Sequence, residues 1–235
     1  TTLTGTNTYS GATTIDAGTL AVQGGSAISD GSAVSIASGA TLSLGADEAI
    51  GTLSGAGDIA LNANTLTVDE SLSYSFTGGI SGTGGLVKTG SADLTLSGTN
   101  TYTGTTTINA GQIHVYGGAA IADTSADVVG SGTRLYVGAD ETIGSLAGAG
   151  EVMLGFNATT PTLTVGGDNT STTFAGQIVG PGGLTKTGTG TQTLGGVNSD
   201  YSGATNIEAG TLVVPGETAV GDGTAVTTAS GATLE

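Results

Sequence analysis

The sequence predicts an all-β chain wound into a right-handed parallel β-solenoid of roughly 20–25 residues per coil. Three observations predict it. Apolar residues alternate with small or polar ones in runs of only a few residues. Turn-forming residues separate those runs at intervals of about 8 to 10 residues. The chain also repeats itself over a long offset.

The strands come first. Leu42 and Leu44, Ile59 and Leu61, Leu66 and Val68, Leu94 and Leu96, Ile113 and Val115, and Leu135 and Val137 each flank a small or polar neighbour. Such alternation marks a strand with one buried face. Between these runs lie Ser-Gly-Ala-Gly, Gly-Gly, Asp-Gly and Asn-Ala-Gly, all turn chemistry. Three such strands close one coil. At ~4.8 Å per coil, roughly ten coils would make a rod ~50 Å long.

The repeat comes next. Thr6-Asn7-Thr8-Tyr9 returns as Thr99-Asn100-Thr101-Tyr102 at an offset of 93, and Ala46–Gly57 returns as Ala139–Gly150 at the same offset. Phe76–Ile80 returns as Phe174–Ile178 at an offset of 98, which places an insertion at Asn157–Pro161, a loop by composition. Gly84–Gly90 matches Gly182–Gly188, and Asp200 adds one position between Asn198 and Tyr201. Insertions confined to loops suit a stack of equivalent strands. The expected division is a single β-helix of long repeats at 1–85, 86–183 and 184–235, the first truncated at its N-terminal side and the third at its C-terminal side.

Composition narrows the alternatives. Of 235 residues, 45 are Gly and 44 Thr, both poor helix formers. Hydrophobic residues make up 37%, and the mean hydropathy of +0.21 is not that of a disordered chain. Aromatics are only 4%, too few for the thick core of an antiparallel sandwich, which would also not repeat over so long an offset. A solenoid core is thin, filled by stacked Leu, Ile, Val and Ala, with Gly at corners and Thr on outward strand faces.

With no Cys there is no disulfide, thiolate metal site or Cys nucleophile. Three basic groups against 19 acidic ones give a net charge of −16, which excludes a nucleic-acid surface and disfavours anionic lipid. No apolar run approaches the ~18 residues of a membrane-spanning helix, so direct membrane insertion is not expected.

The block from Leu86 to Val115, with Gly84-Gly85-Leu86-x-Lys88-Thr89-Gly90 leading into it, Leu94-Thr95-Leu96-Ser97-Gly98, Asn100-Thr101-Tyr102-x-Gly104 and Thr106-Thr107-Ile108-x-Ala110-Gly111, resembles the passenger-associated transport repeat of bacterial autotransporters. A second copy runs from Leu184 to Val214, with its Asn-Thr-Tyr turn loosened to Asn198-Ser199-Asp200-Tyr201, and a third spans residues 2 to 22. The resemblance implies a right-handed parallel β-helix, secreted through the parent protein's own C-terminal outer-membrane barrel, in which the repeat assists export and folding. It implies a cell-surface or secreted location outside a Gram-negative bacterium. The expected role is a structural stalk in adhesion, autoaggregation or biofilm, with self-association or a surface receptor as partner. The chain begins and ends inside the pattern, as expected of a fragment. Contacts made coil by coil, without disulfides, suit a rod that folds as it emerges.

A glycan lyase or hydrolase, the enzyme alternative for this fold, needs carboxylates converging on a cleft. Asp47-Glu48 and Asp140-Glu141 are the paired carboxylates, but neighbours on a strand point to opposite faces. Arg134 and Tyr136 fall on the outward phase of the strand carrying Leu135 and Val137, and His114 falls outward between Ile113 and Val115, as a solvated surface residue. No Gly-x-Ser-x-Gly elbow accompanies that His.

Lys88 and Lys186 sit in Gly-Gly-Leu-x-Lys-Thr-Gly but lack the preceding Gly of a phosphate loop, so they read as structural. Asp30-Gly31 and Asp222-Gly223 offer no tandem calcium nonapeptide. Thr65/Thr67, Thr105/Thr107, Thr162/Thr164 and Thr191/Thr193 are too unevenly spaced for an ice-binding array, the remote alternative. Asn100, Tyr102 and Gly111 read as architectural, the Asn and Gly in tight turns. No catalytic, cofactor-binding or metal-ligating residue is expected.

Overall fold

A computed structural model describes residues 1–197, 199–216, 220–221 and 225–235. Asn198, Asp222 and Gly223 therefore lie outside the described residues. The described chain contains strands and turns and no helix, and its strands pair in parallel to make a β-solenoid of about eleven coils.

Three faces enclose the core. One face is a ten-stranded sheet running from Thr13–Ile15 to Asp200–Tyr201, here called face II. A second ten-stranded sheet, face III, runs from Glu48–Ile50 to Thr233–Leu234. Face I carries two five-stranded sheets, one from Thr2–Thr4 to Ile80–Gly82 and one from Glu141–Ile143 to Val226–Thr228. Between them the chain continues without regular strands: Thr101 donates to the Ile80 carbonyl at 2.8 Å, and Ile121 donates to the Glu141 carboxylate at 2.8 Å.

The alternating pairs read from sequence all turn inward. All twelve of those side chains are fully buried. On face II, Leu94, Ile113, Leu135, Val152 and Ile178 stack directly on one another, one per coil. Each apolar side chain thus covers its counterpart in the next coil, and a thin core needs no large residue to close it. Phe76 and Phe174 are exceptions, each seated opposite a glycine of the preceding coil, Gly55 and Gly148.

Coil length varies more widely than the alternation alone suggests. The coil that pairs Arg134 with Glu151 is short, because Gly144 alone separates strands Glu141–Ile143 and Ser145–Gly148 at that corner. The coil that pairs Val152 with Ile178 is long, because the expected insertion protrudes there. Phe156 is exposed, Thr159 donates back to its carbonyl at 3.2 Å, and Asn157 takes a φ of 57°.

The long repeat does not close on a whole number of coils. Inward columns Glu48–Leu66–Leu86–Thr106 and Ile50–Val68–Lys88–Ile108 lie on face III. The same columns recur as Glu141–Leu163–Leu184–Thr205 and Ile143–Val165–Lys186–Ile207 on face I. Lys88 is followed on face III by Ile108, Val129, Gly148 and Phe174, four coils, and the chain then crosses face II before reaching Lys186. One long repeat therefore spans four and two-thirds coils, and each copy is turned by one face relative to the last.

Candidate functional site

The residues that define the repeat are mostly inside the rod. Tyr102 and Tyr201 are buried, and each shares a 2.6 Å hydrogen bond with the Thr four positions on, Thr106 and Thr205. Tyr9 makes the same bond to Thr13. Thr106 and Thr205 are themselves fully buried, against the expectation that Thr faces outward. Their hydroxyls are needed where a tyrosine tip enters the core. Around Tyr102 the network extends to Ser125, whose hydroxyl donates to Asp127 at 3.1 Å. Asp127 is almost fully buried, and that burial holds its pKa well above the usual carboxylate range.

Asn100 is not a turn residue. Its side chain accepts from the Ile80 amide at 2.7 Å and donates to the Ala120 carbonyl at 2.5 Å, so one amide ties together the coils on either side of it. Ser199 takes over half of that task in the next copy, accepting from Ile178 at 3.2 Å. Gly111 does sit at a corner, with φ 66°.

The charged residues of the motif are also buried. Lys88 is fully enclosed and donates to the carbonyls of Thr89, Gly90 and Ala110. Lys186 donates to Thr187, Gly188 and Ala209 in the same way. Each ammonium gathers carbonyls at a corner, so no phosphate loop exists there, and burial lowers both pKa values. Glu70, beside Lys88, is fully enclosed, accepts from the Leu53 amide at 3.0 Å and is pushed by burial to a pKa of about 7.

The paired carboxylates part as expected. Asp47 and Asp140 face out and accept from Thr65 and Thr162 at 2.7 and 2.8 Å. Glu48 and Glu141 point in and each accepts two backbone amides, from Ala27 and Ile28 and from Ala120 and Ile121. Burial raises both, Glu141 to about 8. Neither pair brings two carboxylates onto one cleft. Among the described residues no group of three or more His, Cys, Asp and Glu is placed to hold a metal ion. Thr67 and Thr107 are separated on face III by Val87, whereas on face I Thr142, Thr164 and Thr185 lie in register over three coils before Asn206 ends the run.

The outward side of face II is different in kind. Asp93, Gln112, Arg134, Glu151 and Gln177 lie in register across five coils. Arg134 Nε faces Glu151 Oε1 as an ion pair at 2.5 Å, without hydrogen-bond alignment. One step along the strands, His114 is half-buried rather than freely solvated, its ring 5.0 Å from that of Tyr136, and the ring of Tyr116, from the same coil as His114, lies 5.7 Å from that of Tyr136. Burial lowers the His114 pKa, Arg134 lowers it further, and Asp93, 3.7 Å away, opposes both. Beside the ladder runs an open groove of about 850 Å³. Alternation places Arg134, Tyr136 and His114 outward but does not bring them together, since their proximity depends on coil lengths. The inward lysines are legible in principle, because Lys88 shares the phase of Leu86 on its strand.

Comparison with known proteins agrees with the repeat. The model of the family described as passenger-associated-transport-repeat matches residues 1–22, 86–115 and 184–214. The chain is 41% identical over 110 residues to the adhesin BmaC autotransporter of Brucella suis biovar 1 (strain 1330). That match takes in 45% of this chain and 3% of the relative, so the chain corresponds to a small part of that protein's length. No solved structure matches the chain.

Proposed function

We propose, from the premise that this chain is autotransporter passenger sequence carrying passenger-associated transport repeats, that it serves as a structural segment of an exported surface rod. In this reading it lengthens a stalk outside a Gram-negative cell, delivered through the parent's own C-terminal translocator barrel, and supports adhesion, autoaggregation or biofilm. The adhesin name of the Brucella relative supports the adhesive part. The reading treats the chain as non-enzymatic and divides it into long repeats at 1–85, 86–183 and 184–235.

One observation carries the structural reading most directly. The repeat's motif residues, Lys88, Asn100, Tyr102 and Thr106, are buried and spend their polar groups on backbone and on one another. A motif turned inward serves the rod. Because bonds of this kind join neighbouring coils, a coil leaving the membrane has its full set of partners as soon as the next one emerges. The test is surface display of the chain fused between a signal peptide and a translocator barrel in a Gram-negative host. Protease-accessible display should fall when the chain carries Asn100→Ala with Tyr102→Ala. Equal display by a Gly-Ser linker of the same length would sink the proposal.

A further inference from the structure

The outward patch of face II has an internal control in the chain itself. The preceding copy of the repeat places the same strands on face I, with the same register: Thr19 beside Thr41 beside Asp58, and Ala21 beside Ser43 beside Ala60. A groove runs there as well, smaller at about 390 Å³, lined by Thr41, Asp58 and Gly79. By the repeat alignment Thr19, Thr41, Asp58 and Gly79 correspond to Gln112, Arg134, Glu151 and Gln177. Ala21, Ser43, Ala60 and Gln23 correspond to His114, Tyr136, Met153 and Tyr116. The scaffold closes with Thr, Ser, Ala or Gly at six of these eight positions, keeping an acid at Asp58 and a long side chain at Gln23. Architecture therefore does not demand the larger side chains, and the chain's single Arg, single His and single Met all fall in this one patch.

The chemistry of the patch selects its ligand. The guanidinium is neutralised by Glu151, and the chain as a whole carries −16, so a polyanion would be repelled. The other side chains are planar hydrogen-bonding groups: Gln112 and Gln177, which carry donors and acceptors together, although Gln177 already gives one N–H to the Val197 carbonyl at 3.2 Å, and the fork of Arg134. Gln112, Arg134 and Gln177 line the groove, which Gly and Ala floor; Tyr136 follows Arg134 by two positions on the same strand, outside the groove lining, with its ring 5.7 Å from that of Tyr116. Hydroxyl groups suit the first set and apolar C–H faces suit the second. From Gln112 to Gln177 the row covers four coils, about 15 Å at the usual spacing of strands, the reach of a short sugar chain. We propose that this patch binds a neutral oligosaccharide laid along the rod axis. It does so without cleaving it, and independently of the stalk role.

The experiment titrates the chain with maltohexaose, cellohexaose, xylohexaose and chitohexaose, reading tyrosine fluorescence and calorimetry, with polygalacturonate as an anionic comparator. The double variant Arg134→Thr/Tyr136→Ser imports the residues of Thr41 and Ser43, which the same scaffold already holds. Saturable binding of at least one neutral hexasaccharide is expected, weakened at least about tenfold (about 1.4 kcal/mol) in that variant, with an unchanged thermal melt. Thr41→Ala/Ser43→Ala on face I should leave binding intact. Four outcomes would overturn the proposal: no hexasaccharide binds; the face II variant binds as well as the parent; only polygalacturonate binds; or sedimentation shows that the variant loses self-association and no sugar affinity.

Discussion

Lys88 and Lys186 stand on different faces of the rod and make the same bonds. Each ammonium takes the carbonyls one and two positions ahead of it and reaches a third carbonyl in the following coil, at Ala110 and Ala209. Met fills the volume but donates nothing, leaving carbonyls at a buried corner without their partner. Lys88→Met is expected to lower stability by about 1–3 kcal/mol. Lys88→Arg should not restore it, because a planar fork replaces a compact ammonium in a closed space. Chemical denaturation of the two variants checks both points.

Glu141 and Glu70 set the direction of the pH response. Burial raises the folded-state pKa of Glu141 to about 8 and of Glu70 to about 7, against an ordinary 4.5 for each. A raised carboxyl pKa means that the folded chain holds a proton the unfolded chain has released. Stability is therefore full below the ordinary value and falls as pH rises from about 4.5 towards 8. The melting temperature should be higher at pH 5 than at pH 8. Glu141→Gln should flatten that slope, since its amide stays neutral throughout. A melt that rises between those pH values would contradict the assignment.

Tyr102 tests the polar interior from another side. Its hydroxyl is bonded to Thr106 at 2.6 Å, and Thr106 to Ser125 at 2.9 Å, deep in the core. Tyr102→Phe keeps the ring and removes one bond, with an expected cost of about 1–2 kcal/mol. Thr106→Val should cost about as much, and the double variant should cost less than the sum, because each change alone strands its partner. Additive losses would mean that the two residues act separately.

How much of this is legible in the sequence follows from what the period encodes. Leu42 and Leu44, like Leu135 and Val137, announce an inward face through alternation, so the core is readable position by position. The same alternation turns Lys88 inward, against the expectation that charge seeks solvent. The role of Asn100 is not readable, since its partners Ile80 and Ala120 are reached by winding and not by neighbourhood. Nor is the meeting of Gln112, Arg134 and Glu151, which depends on the unequal lengths of two successive coils. The rotation of the repeat by one face requires both the repeat offset and the coil lengths, and the sequence displays only the first.

Gly148 and Gly132 separate two reasons for glycine in this chain. Both take positive φ, 105° and 79°. At Gly132 an added Cβ would meet nothing within 4 Å, whereas at Gly148 it would lie 2.1 Å from the Val129 carbonyl oxygen. Gly148 also stands opposite Phe174, as Gly55 stands opposite Phe76 in the preceding copy. Gly132→Ala carries only the conformational strain of a left-handed residue, about 1–2 kcal/mol. Gly148→Ala adds a clash with backbone that cannot rotate away, so at least part of that coil must shift. Its destabilisation should exceed that of Gly132→Ala by about 2 kcal/mol. Equal losses in parallel melts would show that the close approach of the two coils at Gly148 costs nothing to relieve.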